Sequence, residues 1–241
     1  MASQVPSTSI QSYEIQGRTV ALPVEVRDAS AGNVMYDVEA QAVARLLPGD
    51  AFEVVETAPG RTQLIVGLID YRDNDLGNYN EVSIAFSVAP RGAGPEDAGT
   101  FIYKLPVDQA FTCEAGCKIW GYPKTVEKID LDYADDFVTG RLEMEGQHVF
   151  TLTVPRRQPE TAEPLELPMR TYSYIEGVPH DTAFRNRSTS TVSPGPDGVE
   201  LTLGDHPLAE ELRSLGLPKP PLMSVWTEHM SAVFEAPTKV G

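Results

Sequence analysis

The chain has few cysteines, few cations and no long apolar runs. Its 241 residues include only 2 cysteines, Cys113 and Cys117, which cannot build a disulfide framework and which we expect to be small buried side chains. The 19 Lys and Arg are outnumbered by 35 Asp and Glu, giving a net charge of −16. Such a surface repels phosphate backbones and anionic lipid, and no run approaches the roughly 18 apolar residues of a membrane span. We therefore expect no nucleic acid or membrane partner.

The signals of secretion, metal binding and nucleotide binding are also missing. Residues 1–13 are polar and contain no apolar core, so we predict no signal peptide and a cytoplasmic location. The 4 histidines are scattered without metal-ligand spacing. Neither a G-x-S-x-G elbow nor a phosphate-binding loop is present. The sequence predicts no metal and no organic cofactor.

Hydrophobic periodicity indicates a chain made mostly of strands. Tyr79–Val88 alternates, with Val82 and Ile84 on one face and Glu81 on the other. Further strands are predicted at 20–26, 62–69, 101–105, 125–131, 137–144, 148–154, 170–175, 199–203 and 223–234. Short helices are predicted at 37–47, 108–115 and 207–215. Because strands and helices do not alternate regularly, we predict a β-rich α+β fold, a mainly antiparallel curved sheet closing into a barrel-like core.

We expect one domain over residues 1–241. The segment 155–168 carries four prolines among charged residues, which is typical of either a surface excursion or a linker. We favour the surface excursion, because the residues after it contain too few predicted strands for a separate core.

The segment Gly116–Thr125 concentrates groups that can carry chemistry. Trp120 and Tyr122 lie close to Lys124 in the sequence. A lysine among aromatic rings loses hydration, which favours its neutral amine and lowers its pKa. A neutral amine attacks a ketone to form a Schiff base, which acts as an electron sink. The alternative is a surface lysine whose stem lies over Trp120.

Three segments together resemble one enzyme family. The pattern G-x-x-I-x-x-Y-P-K, from Gly116 to Lys124, resembles the signature around the Schiff-base lysine of the acetoacetate decarboxylase family. Leu76-Gly77-x-Tyr79-x-Glu81 is similar to the family segment that carries an active-site glutamate, and residues 44–48 to the end of an early family helix. The resemblance implies the family's barrel-like fold, a homo-oligomer and a cofactor-independent lyase acting on a small keto acid.

The resemblance assigns roles to individual residues. Lys124 takes the place of the Schiff-base lysine and Glu81 that of the active-site glutamate. Tyr122 matches an aromatic residue of the substrate pocket, and we place the neighbouring Trp120 in the same pocket. For the substrate-binding arginine the first candidate is Arg18, before a predicted strand, and the second candidate is Arg27.

Two departures from the family pattern leave the reaction open. Thr125 stands where the family's decarboxylases have a second lysine. The family's other glutamate falls near Val66 or Gly67, and the closest acid is Asp70. The leading prediction is decarboxylation of an acetoacetate-like β-keto acid. The alternatives are a Schiff-base aldolase, dehydratase or cyclase acting on a larger 2-oxo acid, or a non-catalytic binding domain of the same fold.

Overall fold

The computed structural model describes residues 11–157 and 163–240. The helices of this part are α1 (Ala40–Ala44), α2 (Ala110–Trp120) and α3 (Pro207–Ser214), and a short 3-10 turn covers Pro95–Asp97. The strands are β1 (Ser12–Ile15), β2 (Arg18–Ala21), β3 (Val24–Glu39), β4 (Phe52–Val54), β5 (Arg61–Asn74), β6 (Tyr79–Pro90), β7 (Gly99–Val107), β8 (Lys124–Val126), β9 (Lys128–Tyr133), β10 (Phe137–Met144), β11 (Gln147–Pro155), β12 (Leu165–Ile175), β13 (Val178–Pro194), β14 (Glu200–Leu203), β15 (Met223–Phe234) and β16 (Thr238–Lys239). None of the described helices has the length and apolar character needed to cross a membrane.

Seven strands close into a barrel. Their order is β6-β5-β3-β15-β13-β12-β7, and β7 pairs back onto β6. Neighbours in this ring are antiparallel except β12 and β7, which are parallel. Strand β8 adds to β7 in parallel. The predicted β-rich α+β fold, mainly antiparallel and closed into a barrel with a few short helices, is confirmed.

Alternation along β6 divides its side chains between two hydrophobic cores. Val82, Ile84 and Phe86 belong to one core, to which the four-stranded sheet β14-β11-β10-β9 and helix α3 also contribute. Tyr79 and Ala85 belong to the other core, which includes the apolar face of α2. Since successive residues of a strand point to opposite faces, Glu81 lies on the α2 side. Both faces of β6 are covered, so Glu81 is buried rather than solvated.

Helix α2 is longer than the sequence predicts. The predicted helix ends at Ala115, because a following glycine often terminates a helix. In the structure α2 continues through Gly116 to Trp120 and ends at Gly121, which has φ +65. The Gly121 N–H donates to the Cys117 carbonyl, so this glycine serves as the cap. Gly116 is therefore an interior helical residue.

Other boundaries also differ from the prediction. Residues 37–39 form strand rather than helix, because they pair with residues 61–63 of β5. Strand β13 was not predicted: it is rich in Ser, Thr, Asn and Arg, and its pairing with both β12 and β15 holds it in the barrel. Within the predicted surface excursion, Pro155 belongs to β11 and residues 165–168 to β12, while 158–162 lie outside the described residues.

Candidate active site

Lys124 and Glu81 form a buried ion pair. Lys124 begins β8 and Glu81 lies in β6, and both strands pair with β7. The Lys124 Nζ lies 2.8 Å from Glu81 Oε2, and the two side chains are only 4% and 8% exposed. Charges are buried at a high desolvation cost, which a close partner offsets only in part. The structure thus brings together the two residues that the sequence predicts as catalytic.

The ion pair reverses the predicted direction of the Lys124 pKa. Burial lowers the pKa of Lys124, but the Glu81 charge and the Tyr79 hydroxyl raise it, and the net shift is upward. The prediction of a lowered pKa was wrong, because it included the loss of hydration and omitted the counter-charge. The close Glu81 carboxylate thus favours the ammonium form of Lys124, and a nucleophilic amine forms only after its proton has moved.

Two stacked tyrosines cover the ion pair. The Lys124 Nζ lies 4.8 Å from the centre of the Tyr79 ring, and that ring stacks on Tyr71 at 4.5 Å. The Tyr71 hydroxyl donates to Glu81 Oε1 at 3.4 Å. Burial raises the pKa of both phenols, so they stay protonated and able to donate. Tyr71 was not predicted as a site residue, although it lies two residues after Ile69, the end of the predicted strand, and faces the same core.

Trp120 and Tyr122 form the opposite wall. Their rings stack at 5.8 Å with an interplanar angle of 19°. The Tyr122 hydroxyl lies 2.7 Å from Thr171 Oγ1, and Trp120 Nε1 donates to the Glu235 carbonyl at 3.0 Å. Burial raises the pKa of Tyr122 to about 12. Both aromatic residues are therefore fixed by polar contacts at their far ends.

A cavity of about 30 Å³ lies between these walls. Its lining residues are Val24, Val26, Tyr71, Asn74, Leu76, Tyr79, Glu81, Leu105, Trp120, Tyr122, Lys124 and Phe234. Lys124 and Glu81 are the two charged groups in this lining. A water molecule needs about 10–15 Å³ of such space, so the cavity has room for about two waters. Binding a ketone therefore requires lining side chains to move.

Comparison with known proteins identifies the family of this chain. The family model described as acetoacetate decarboxylase (ADC) matches residues 12–235. This chain belongs to the acetoacetate decarboxylase family. No curated protein matches its sequence.

Several solved structures share the fold at low sequence identity. Acetoacetate decarboxylase from Legionella pneumophila is 18% identical with a TM-score of 0.64, covering 91% of this chain and 87% of that one. An acetoacetate decarboxylase-like enzyme from Sphingomonas wittichii is 18% identical with a TM-score of 0.60, covering 93% and 96%. The enduracididine biosynthesis enzyme MppR, complexed with the condensation product of pyruvate and imidazole 4-carboxaldehyde, is 19% identical with a TM-score of 0.59, covering 98% of each chain. At this identity the likeness shows the fold alone.

The two candidate arginines of this family member lie outside the cavity lining. The Arg27 guanidinium pairs with Asp73 at 2.9 Å and with Asp75 at 2.7 Å. The Arg18 guanidinium lies 4.1 Å from the centre of the Phe111 ring. Within residues 11–157 and 163–240, no carboxylate forms an ion pair with Arg18. Of the two candidate arginines, Arg18 is therefore the one whose charge is not paired with a described carboxylate.

The positions where this chain departs from the family pattern carry no substitute carboxylate. Asp70 accepts from the Tyr133 hydroxyl at 2.9 Å and pairs with Arg72 at 3.2 Å, and it points to the face opposite Tyr71. A side chain at Gly67 would meet Ser83 Oγ at 2.5 Å and Asn33 Oδ1 at 2.6 Å, so that position is closed. Thr125 is exposed. Glu81 is the acid that remains beside Lys124.

Helix α2 contributes a polar contact that the sequence analysis did not find. Thr112 is fully buried, and its Oγ1 accepts from Lys124 Nζ at 3.3 Å. The cysteines of α2 differ from the expectation of two buried side chains, because Cys117 is exposed and Cys113 half-buried. Both thiols are free, and the Cys117 thiol donates to the Lys124 carbonyl at 3.6 Å.

Proposed function

We propose that this protein is a cofactor-independent lyase that decarboxylates a small β-keto acid through a Schiff base on Lys124. The observation that carries the proposal is the buried Lys124–Glu81 pair in a cavity otherwise lined by aromatic, apolar and amide side chains. Family membership supports a small keto acid as substrate. The cytoplasmic location and the homo-oligomer remain predictions.

Glu81 is the proposed carrier of the proton that Lys124 must lose. At 2.8 Å, its carboxylate takes a proton from the ammonium as Nζ attacks the ketone carbon. The attacking nitrogen gives a second proton to the former ketone oxygen, which becomes the hydroxyl of the adduct. The proton held by Glu81 then adds to this hydroxyl, which leaves as water and yields a positively charged imine. Glu81, again a carboxylate, is then its counter-charge.

Loss of CO2 is favoured by what surrounds the imine. The bond to the carboxylate breaks, and its electron pair moves to the imine nitrogen, forming an enamine. In a cavity with few polar groups, beside the Glu81 carboxylate, the negative charge of the bound acid is stabilised by no more than one arginine contact, and this charge disappears in the transition state. Protonation of the enamine carbon and hydrolysis release the ketone and restore Lys124.

A second candidate keeps the imine and forms a carbon–carbon bond instead. Specific observations favour it: the exposed Thr125, the closed position at Gly67, and the fold shared with MppR bound to a condensation product. The cavity size favours decarboxylation, because a small β-keto acid needs a smaller displacement of the lining than a larger 2-oxo acid.

Product analysis separates these reactions. The protein is incubated with acetoacetate and its short homologues, and in parallel with pyruvate plus an aldehyde, and products are identified by NMR. The proposal predicts CO2 and a ketone from the β-keto acids, and neither above background with a Lys124→Met/Glu81→Gln variant. A condensation product alone would favour the aldolase. No product and no imine from any keto acid would support a binding domain and contradict the proposal.

Arg18 is the proposed carboxylate-binding residue. We expect Arg18→Gln to raise KM about tenfold, the cost of one charged hydrogen bond, while kcat changes little. Arg27→Gln is the matched control, because the Arg27 guanidinium already forms ion pairs with Asp73 and Asp75. Steady-state kinetics on the best substrate test both variants. Equal effects of the two substitutions would contradict the assignment.

A further inference from the structure

We propose that Gly116 and Thr112 of helix α2 are positioning residues that aim the Lys124 amine at Glu81. The proposal rests on the function above only for the identity of the reacting amine. Gly116 leaves the space in which the lysine stem lies, and Thr112 holds the amine at its end. The two residues are four positions apart and so share one face of the helix.

The Gly116 contact is with the methylene groups of Lys124. A Cβ built at Gly116 would lie 2.6 Å from Lys124 Cδ and 2.7 Å from Cε. Protein Cβ atoms do not approach other heavy atoms this closely, so any side chain here must displace its neighbour. That neighbour is the outer half of a flexible side chain rather than backbone. An alanine at 116 would therefore shift the lysine and leave the helix in place.

The presence of glycine at 116 has no other evident cause. Its backbone is ordinary helix, without the positive φ that favours glycine. Glycine also weakens a helix interior relative to alanine. The close approach of the Lys124 stem explains why this weaker residue stands in the middle of α2.

Thr112 fixes the other end of the side chain. Its Oγ1 accepts from Lys124 Nζ at 3.3 Å. The Thr112 N–H donates to Gln109 Oε1 at 2.7 Å, and Gln109 Nε2 donates to the Leu76 carbonyl at 3.2 Å. The first turn of α2 is thereby tied to the connection that leads into β6. The helix that holds the amine is thus anchored close to the strand that carries Glu81.

The test compares Gly116→Ala, Thr112→Val and Thr112→Ser with the wild type. For each protein, acetylation of Lys124 by acetic anhydride is measured across pH by peptide mass spectrometry, alongside thermal unfolding and borohydride trapping with acetoacetate. Moving the amine away from Glu81 removes part of the attraction that favours the ammonium. We expect the acetylation profile of Gly116→Ala to shift to lower pH and its trapping to fall at least tenfold. The variant should stay folded, because the helical gain of alanine over glycine offsets part of the weakened ion pair.

For Thr112→Val we expect the acetylation profile and the trapping to change in the same direction. Thr112→Ser keeps the hydroxyl and should behave as the wild type. A merely structural role would lower the unfolding temperature without moving the acetylation profile. A Gly116→Ala variant that folds and shows wild-type acetylation and trapping would overturn the proposal. If Gly116→Ala does not fold, the comparison of Thr112→Val with Thr112→Ser decides it. If wild-type Lys124 is never trapped, the Schiff-base function fails, but the acetylation profiles still test the positioning.

Discussion

Replacing Glu81 by glutamine is expected to make Lys124 more reactive toward amine reagents while making the enzyme at least about 100-fold less active, the usual scale of a lost general acid–base. Burial lowers the pKa of Lys124, and Glu81 is a main reason why the net shift is upward. Without the carboxylate, burial dominates and the pKa falls. Each unit of that fall raises the neutral fraction of the amine about tenfold at neutral pH.

The two readouts move in opposite directions only if Glu81 both holds the ammonium and carries its proton. Acetylation of Lys124 is followed by mass spectrometry from pH 6 to 10, and turnover is followed on the same samples. Asp70→Asn is the matched control, because Asp70 points to the opposite face. A Glu81→Gln variant with unchanged acetylation, or with full turnover, would refute this role.

Replacing Lys124 alone is expected to destabilise the fold by about 3–5 kcal/mol, the usual cost of leaving one member of a buried pair uncompensated. Lys124→Met leaves the Glu81 carboxylate in a cavity of apolar and aromatic groups. Adding Glu81→Gln removes the second charge, so the double variant should regain most of the stability. A gain in stability on adding Glu81→Gln would identify the lone charge, rather than lost packing, as the cause of the destabilisation.

Urea unfolding of the wild type, Lys124→Met and the double variant at pH 8 measures these stabilities. Equal stabilities of the single and double variants at pH 8 would contradict the coupling.

The sequence predicted those parts of the site that local patterns determine. Alternation in β6 placed Glu81 on the face opposite Val82, and the Tyr-Pro-Lys segment singled out Lys124. Their direct contact could not be predicted, because it depends on β8 adding in parallel to β7 beside β6. For that reason the predicted direction of the Lys124 pKa was wrong.

The parts that the sequence did not predict depend on tertiary context. The local sequence around Gly116 predicts a helix end, and only the contact with the Lys124 stem explains a glycine inside the helix. Because the predicted helix ended at Ala115, Thr112 and Gly116 were not expected to share one face of a helix. Strand β13 has no apolar alternation and forms because β12 and β15 pair with it.

Borohydride reduction in the presence of acetoacetate, followed by peptide mass spectrometry, tests the central claim most directly. The account predicts one stable adduct on the wild-type protein, located on Lys124, with the mass of the reduced imine of the substrate or of its decarboxylated ketone. Lys118 and Lys128, which lie exposed on either side in the sequence, should stay unmodified. An adduct spread over the surface lysines, or none on Lys124 with any keto acid, would contradict it.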